Sequence, residues 1–231
     1  MTSAALDLSW NGPQGTRRFA AAIKSLVVAG WTGRDRAAME AHIAELERLG
    51  VARPKSTPIF YRVAASLLTT ADAIQVAGGD TSGEIEPVLL SLADGLWVTV
   101  GSDHTDRKIE TMGVTVSKQL CAKPVSAALW RYEEVAAHWD RLVLRAHAVR
   151  GGRRELYQEG PVARIRHPEE LMAMYLGRRA FLPPGTAMLC GTLKVAGEIA
   201  PAEAFEIALE DPVLGRRLEH RYRIETLPVE G

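Results

Sequence analysis

Gly83-Glu84-Ile85-Glu86-Pro87-Val88-Leu89-Leu90-Ser91-Leu92 and Leu96-Trp97-Val98-Thr99-Val100-Gly101 read as two short apolar strands joined by a turn at Ala93-Asp94-Gly95. Successive side chains of a strand alternate between its faces. Glu84 and Glu86 therefore point the same way, with Cα atoms roughly 6–7 Å apart. Two carboxylates so placed repel each other and are costly to bury unless a cation lies between them. The polar run after the second strand, Gly101-Ser102-Asp103-His104-Thr105-Asp106-Arg107, offers a third acid. Three carboxylates make an all-oxygen donor set suited to Mg, Mn or Ca.

Working outward, short strands dominate. Further strands are expected over 58–63, 73–76, 141–149, 187–192, 204–209 and 218–224, with a hairpin crossing Gly151-Gly152 and ending near Leu156. Residues 1–25 are expected to form a small β arm: apolar and polar residues alternate over 5–20 around Asn11-Gly12-Pro13-Gln14-Gly15, a hairpin whose loop is longer than two residues. Ala38, Met39, His42, Ile43, Leu46 and Leu49 recur at helical spacing, which predicts a helix over 35–49 closed by Gly50. Further helices are expected over 107–120, around 135–139 and over 168–175. The pattern is that of a single α+β domain spanning 1–231, mostly β, with a curved sheet core and a few peripheral helices.

The composition narrows the function classes. Hydrophobic residues are 47% and charged residues 24% of the 231, enough to bury a substantial core. The 28 basic and 28 acidic side chains cancel, so nothing favours a phosphate backbone or an anionic membrane. The apolar stretch 20–30 is interrupted by Lys24 and is far shorter than the roughly 20 residues of a bilayer span. With no secretory leader pattern, a cytoplasmic location is expected. Cys121 and Cys190 have no metal-ligand spacing and read as reduced, buried thiols.

Several ordered motifs resemble the fumarylacetoacetate hydrolase superfamily, also called the acylpyruvase or 2-oxo-hydratase fold, from about Val27 to about Val229. The family's Glu-x-Glu strand is similar to Glu84-Ile85-Glu86, and its Asn-Asp-x-Ser-x-Arg-Asp motif resembles Ser102-Asp103-His104-Thr105-Asp106-Arg107-Lys108. The resemblance implies Glu84, Glu86 and Asp103 as metal ligands and Arg107 beside the substrate. Asp106 is the other possible ligand, but the arginine falls in register only with Asp103. His104, adjacent to Asp103, is expected to point elsewhere. The family's lysine, about twenty residues beyond the ligand aspartate, falls on Lys123, with Lys118 as the fallback. His42-Ile43-Ala44-Glu45 is similar to the family's catalytic His-x-x-Glu helix, whose i, i+3 spacing places both side chains on one face. Pro58-Ile59-Phe60-Tyr61-Arg62 resembles a Pro-x-x-Phe-x-Lys strand, with Arg62 in the place of lysine on the substrate side. Cys190-Gly191-Thr192 looks like the Thr-Gly-Thr of the family and carries over Thr192 as a substrate-side hydroxyl. The sequence departs at Ser102, Lys108 and Leu193, where the family has asparagine, aspartate and proline, and over 30–35, where a Gly-x-Asn-Tyr segment is replaced.

The resemblance implies curved mixed sheets in a roll or sandwich, a Mg or Mn cofactor, and a homodimer acting on a small anionic carboxylic acid. The implied reaction is hydrolysis of a C–C bond in a 2,4-dioxo, acylpyruvate-like acid through a metal-bound enolate. His42, oriented by Glu45, is the expected base, and Lys123 and Arg107 the positive charges beside the substrate. The alternatives are a lyase of the same fold, such as a 2-oxo acid decarboxylase or hydratase, and a small-carboxylate-binding protein without turnover.

Overall fold

The computed structural model describes residues 3–48, 53–178 and 180–230, apart from the side chains of His42, Glu45 and Leu46. The chain opens with a hairpin of β1 (Ala4–Gly12) and β2 (Gly15–Ile23), then β3 (Ser25–Gly30), helix α1 (Arg36–Arg48) and β4 (Ile59–Val63). The short strands β5 (Leu68–Thr69), β6 (Ala73–Ala77) and β7 (Thr81–Ser82) lead to a long hairpin of β8 (Ile85–Leu92) and β9 (Gly95–Ser102). Next come β10 (Thr105–Asp106), α2 (Arg107–Glu110), α3 (Val114–Gln119), β11 (Lys123–Pro124), β12 (Ala128–Arg131) and α4 (Tyr132–Val135). The chain closes with β13 (Val143–Arg150), β14 (Arg153–Pro161), α5 (Pro168–Leu176), β15 (Thr186–Leu189), β16 (Ala204–Asp211) and β17 (Arg216–Leu227).

Among the described residues, eight strands form one mixed sheet in the order β2-β1-β12-β9-β8-β15-β3-β4, and five form another in the order β14-β13-β16-β17-β6. The β8–β9 hairpin lies at the centre of the larger sheet, and every residue of β8 is buried. The reason is that both faces of β8 carry a core. Ile85 and Leu89 pack with Val27, Val98 and Val100 toward Leu144, Phe205, Leu209 and Tyr222 of the second sheet. Val88, Leu90 and Leu92 point the other way, to Leu6, Leu8, Leu26, Val28 and Leu189, where the curled sheet closes on itself. Burying a side chain of this size contributes roughly 1.5–3 kcal/mol. The two apolar sets of the hairpin thus hold it rigidly at the seam between the two cores. A mostly β architecture with curved mixed sheets and peripheral helices is what the sequence predicts.

Several boundaries differ from expectation. The first hairpin closes with only Pro13-Gln14 between paired Gly12 and Gly15, where a longer loop is expected. Pro13 presets φ for the turn, and Gly15 takes φ 104°, which lets the chain reverse within two residues. This hairpin joins the large sheet through a parallel pairing of β1 with β12. The helix expected over 107–120 breaks into α2 and α3, because Gly113 is fully extended between them. The strand expected over 187–192 ends at Leu189, freeing residues 190–192 to turn toward β8. Helix α1 begins where expected, with Asp35 accepting hydrogen bonds from the amides of Ala37 and Ala38 at 2.9 and 3.0 Å. Its expected closing residues, Leu49 and Gly50, lie outside the described residues.

The β16–β17 turn supplies a test of the second sheet. Asp211 is buried at its base, where its carboxylate accepts from the amides of Val213 and Leu214 and lies 3.0 Å from His138 Nε2. Burial works to raise its pKa, but the bonds from His138 and the Leu214 amide outweigh it and hold the group below its ordinary value. A depressed folded pKa stabilises above the unfolded value near ~3.9 and loses that contribution as pH falls below it. Asp211→Asn is expected to lose about 1–3 kcal/mol at pH 7. In urea unfolding between pH 7 and 3, the gap to wild type should narrow on the acid side; a constant gap would show that the charge contributes nothing.

Candidate metal centre

Glu84 stands one residue before β8, Glu86 on its second residue and Asp103 one residue after β9. In the hairpin register Ile85 faces Ser102 and Glu86 faces Gly101, and the Asp103 amide donates to the Glu84 carbonyl at 2.9 Å. Strand alternation puts Glu84 and Glu86 on the face of Val88 and Leu90, and Asp103 on the face of Trp97. All three of those apolar positions look into the inner core, so the three carboxylates meet at its end. One oxygen of each lies within 4.8 Å of the others, and Glu86 and Asp103 are buried.

Three cations surround them. Arg107 donates Nη2 to Glu84 Oε1 at 3.0 Å, Nη1 to Glu110 at 2.9 Å and Nε to Ser82 Oγ at 2.6 Å. Lys118 Nζ bonds to Asp103 Oδ2 and lies 3.3 Å from Glu84 Oε2. Lys123, fully buried, is 3.0 Å from Asp103 Oδ1 but directs its aligned hydrogen bond to the carbonyl of His104 at 2.6 Å. Asp103 Oδ1 is thereby left buried, beside a charge and without a hydrogen bond. Such an oxygen is a natural cation donor, because buried polar atoms otherwise find partners.

The acids do not titrate alike. Burial would raise Glu84, but Lys118 and Arg107 bring it down to about 2. Glu86 is pushed well above the usual carboxylate range by burial and by the negative charges of Asp103 and Glu84. Its Oε2 accepts the Gly191 amide at 2.5 Å. A carboxylate crowded by two others and lacking its own cationic side chain fits a divalent ion, which would neutralise the excess.

The rejected alternatives are engaged elsewhere. His104 is fully buried, its ring nitrogens 3.2 Å from the Tyr222 hydroxyl and 2.9 Å from Thr81 Oγ1, away from the acids. Burial, then Lys123 and Arg107, takes its pKa down to about 3, so it is neutral. Asp106 caps α2 by accepting from the Ile109 amide at 2.9 Å. Arg107 and Lys123 both join the carboxylates. Thr192 lies one step away: it donates to the Ile85 carbonyl at 2.7 Å and accepts from Gln158 Nε2 at 2.8 Å. Arg62 is not brought to the cluster. It is exposed, on the face of β4 opposite Tyr61, and bonds to the Tyr175 hydroxyl at 3.0 Å. His42 and Glu45 lie on α1, but their side chains fall outside the described residues.

Other residues of the site carry weaker sequence signals. Lys118, the fallback lysine, makes closer contact with the acids than Lys123; a lone lysine in Val114-Thr115-Val116-Ser117-Lys118 is its only mark. Tyr61, not Arg62, is the inward residue of β4, its ring 5.9 Å from Lys118 Nζ. The Gly191 amide could not have been read from side-chain chemistry. Residues 32–34 are pinned to 164–166 by the bonds Arg166 N–H to Thr32 O at 2.8 Å and Arg34 N–H to Arg164 O at 3.0 Å.

A family model described as "Protein of unknown function (DUF2848)" matches residues 29–222, which takes in the hairpin, all three acids and both lysines. The chain belongs to the DUF2848 family. No curated protein matches this DUF2848 sequence. Among solved structures, Cg1458 is similar with a TM-score of 0.66 at 14% identity, over 93% of this chain and 81% of the other. Yeast ynq8, a fumarylacetoacetate hydrolase family protein, has a TM-score of 0.63 at 19% identity, over 88% and 94%. The 2-keto-3-deoxy-D-arabinonate dehydratase complexed with magnesium and 2,5-dioxopentanoate has a TM-score of 0.62 at 16% identity, over 94% and 79%. The likeness is one of fold, and this DUF2848 protein has the fold of the fumarylacetoacetate hydrolase family. Among the described residues no helix is long and apolar enough to cross a membrane.

Proposed function

We propose that this protein is a divalent-cation-dependent enzyme acting on a small 2-oxo carboxylic acid, and that its reaction is hydrolysis of a C–C bond in a 2,4-dioxo acid. The observation that carries the reading is the buried triad of Glu84, Glu86 and Asp103 with ligand oxygens within 4.8 Å. Mg or Mn held by these three would act as a Lewis acid toward an oxygen on which negative charge develops.

The remaining groups have assignable tasks. The Gly191 amide fixes Glu86, while Arg107, committed to Ser82, Glu84 and Glu110, orients Glu84. Arg107 is therefore a positioning residue whose charge acts on an anionic substrate from behind Glu84. Lys118 and Lys123 supply the buried positive charge that attracts a carboxylate and favours an enolate oxygen. Thr192 already donates to Ile85 and accepts from Gln158, so one lone pair remains for a substrate hydroxyl. In this reading His42, oriented by Glu45, takes the proton of the water that attacks the second carbonyl. A cytoplasmic homodimer completes the proposal and rests on the family resemblance alone.

A lyase is the second reading, favoured by the fold likeness to a dehydratase that binds magnesium and 2,5-dioxopentanoate. Acetylpyruvate, oxaloacetate and 2-keto-3-deoxy-D-arabinonate should be assayed with Mg or Mn, beside Glu84→Ala and His42→Ala. Hydrolysis is expected to yield acetate from acetylpyruvate, to need the cation, and to fall at least hundredfold in both variants. Carbon dioxide from oxaloacetate, or dehydration with His42→Ala fully active, would install the lyase. Binding of these acids without turnover would mark a carboxylate-binding protein.

A further inference from the structure

We infer that the Lys118 ammonium is a built-in counter-cation: it occupies the oxygens of Glu84 and Asp103 in the ion-free protein, yields them to an entering divalent cation, and is then free for the substrate anion. This rests on the metal-centre reading above and concerns how that centre is loaded. Lys118 Nζ engages Glu84 Oε2 at 3.3 Å and Asp103 Oδ2, so it bridges two members of the triad. A metal ion using those oxygens and the bridging ammonium exclude each other by charge and by space.

Of the three cations, Lys118 is the one the acids can release. Asp103 keeps Lys123 at 3.0 Å, and Lys123 is anchored by the His104 carbonyl. Glu84 keeps Arg107, which is anchored by Ser82 and Glu110. Lys118 has no such second anchor of its own among its described hydrogen bonds, which run only to the two acids. It hangs from α3, a six-residue helix whose outer side leaves Val116 56% exposed. A lysine head on a four-carbon stem reorients readily. The Tyr61 ring, 5.9 Å from Nζ, offers the displaced ammonium a face on which to rest.

The cation and the anion should therefore bind in order. Before the divalent ion enters, Lys118 is spent on the acids; afterwards it adds one positive charge where the substrate carboxylate arrives. Manganese should be titrated calorimetrically into metal-stripped wild type, Lys118→Met and Lys118→Gln, with folding checked by circular dichroism. Oxalate, a small dicarboxylate probe, should then be titrated with and without manganese. Both variants are expected to bind manganese at least tenfold tighter than wild type, and to bind oxalate at least tenfold more weakly once manganese is present. Wild type should bind oxalate only with manganese. Manganese binding no tighter in either folded variant, while wild type binds it, would overturn the inference and leave the metal centre standing. A wild type that binds no manganese would remove the metal-centre reading itself.

Discussion

Asp103→Asn is expected to abolish divalent-cation binding and to lower turnover at least a thousandfold, the largest loss among single substitutions in the site. Asparagine matches aspartate in size and leaves the Asp103 amide bond to the Glu84 carbonyl in place, so the hairpin register should persist. What changes is charge. Asp103 is fully buried between Lys118 and Lys123, and it is the acid both lysines share. Neutralising it strands positive charge in a largely buried site, which typically costs about 3–5 kcal/mol. That is a large part of the roughly 5–15 kcal/mol by which a domain is stable. Urea unfolding and manganese calorimetry read the two effects separately. If the variant bound manganese as wild type does, the cation would have to lie away from Asp103, and the triad would lose its role.

Gly191→Ala is expected to damage both stability and cation binding, although it removes no charge and no side-chain donor. Gly191 takes φ 104°, a conformation L side chains rarely adopt. A Cβ there would lie 1.7 Å from Thr32 Oγ1 and 2.9 Å from its Cβ, so backbone must move on one side or the other. Thr32 cannot retreat easily, because its carbonyl is held by the Arg166 amide at 2.8 Å. The 190–192 segment would shift and carry the Gly191 amide away from Glu86. Strain of this kind costs about 1–3 kcal/mol before any clash is counted. Manganese affinity is expected to fall at least tenfold with it. The double variant Thr32→Ala, Gly191→Ala relieves the shortest contact but not the φ strain, and should recover part of the stability. A single Gly191→Ala protein with wild-type stability and manganese affinity would show that the loop is not what fixes Glu86.

The hairpin and the Glu84–Glu86 pair are legible because their signals are local, whereas Asp103 over Asp106, and Arg107, follow only from the motif resemblance. Alternation places Glu84 and Glu86 on one face, and a short turn brings Asp103 back beside them. Residues supplied from afar were harder to read. Gly191 reaches Glu86 across 105 positions of sequence, and nothing in a backbone amide marks it beforehand. Lys118 stands behind Lys123 in the motif register, and the break at Gly113, where α3 starts anew before the buried Lys118, is not visible in the sequence of an expected continuous helix. Motif register puts Arg62 on the substrate side, whereas the alternation of β4 sends it to the face opposite Tyr61. The first hairpin loop reads as longer than two residues because Pro13 and Gly15 resemble loop residues, whereas they are what lets a tight turn close.

The turn at Ala93-Asp94 closes the central hairpin, with Leu92 paired to Gly95. It stands six residues from Glu86, roughly 20 Å along the strand. An extra residue accommodated there by sliding β9 would move Asp103 to the opposite side of the sheet and send Trp97, Val98 and Val100 of β9 each to the other core. The carboxylates are thus in phase only for one turn length. The exposed β13–β14 tip at Gly151-Gly152 carries no such constraint, but an insertion at Ala93-Asp94 would need a bulge elsewhere in the same hairpin to restore the count.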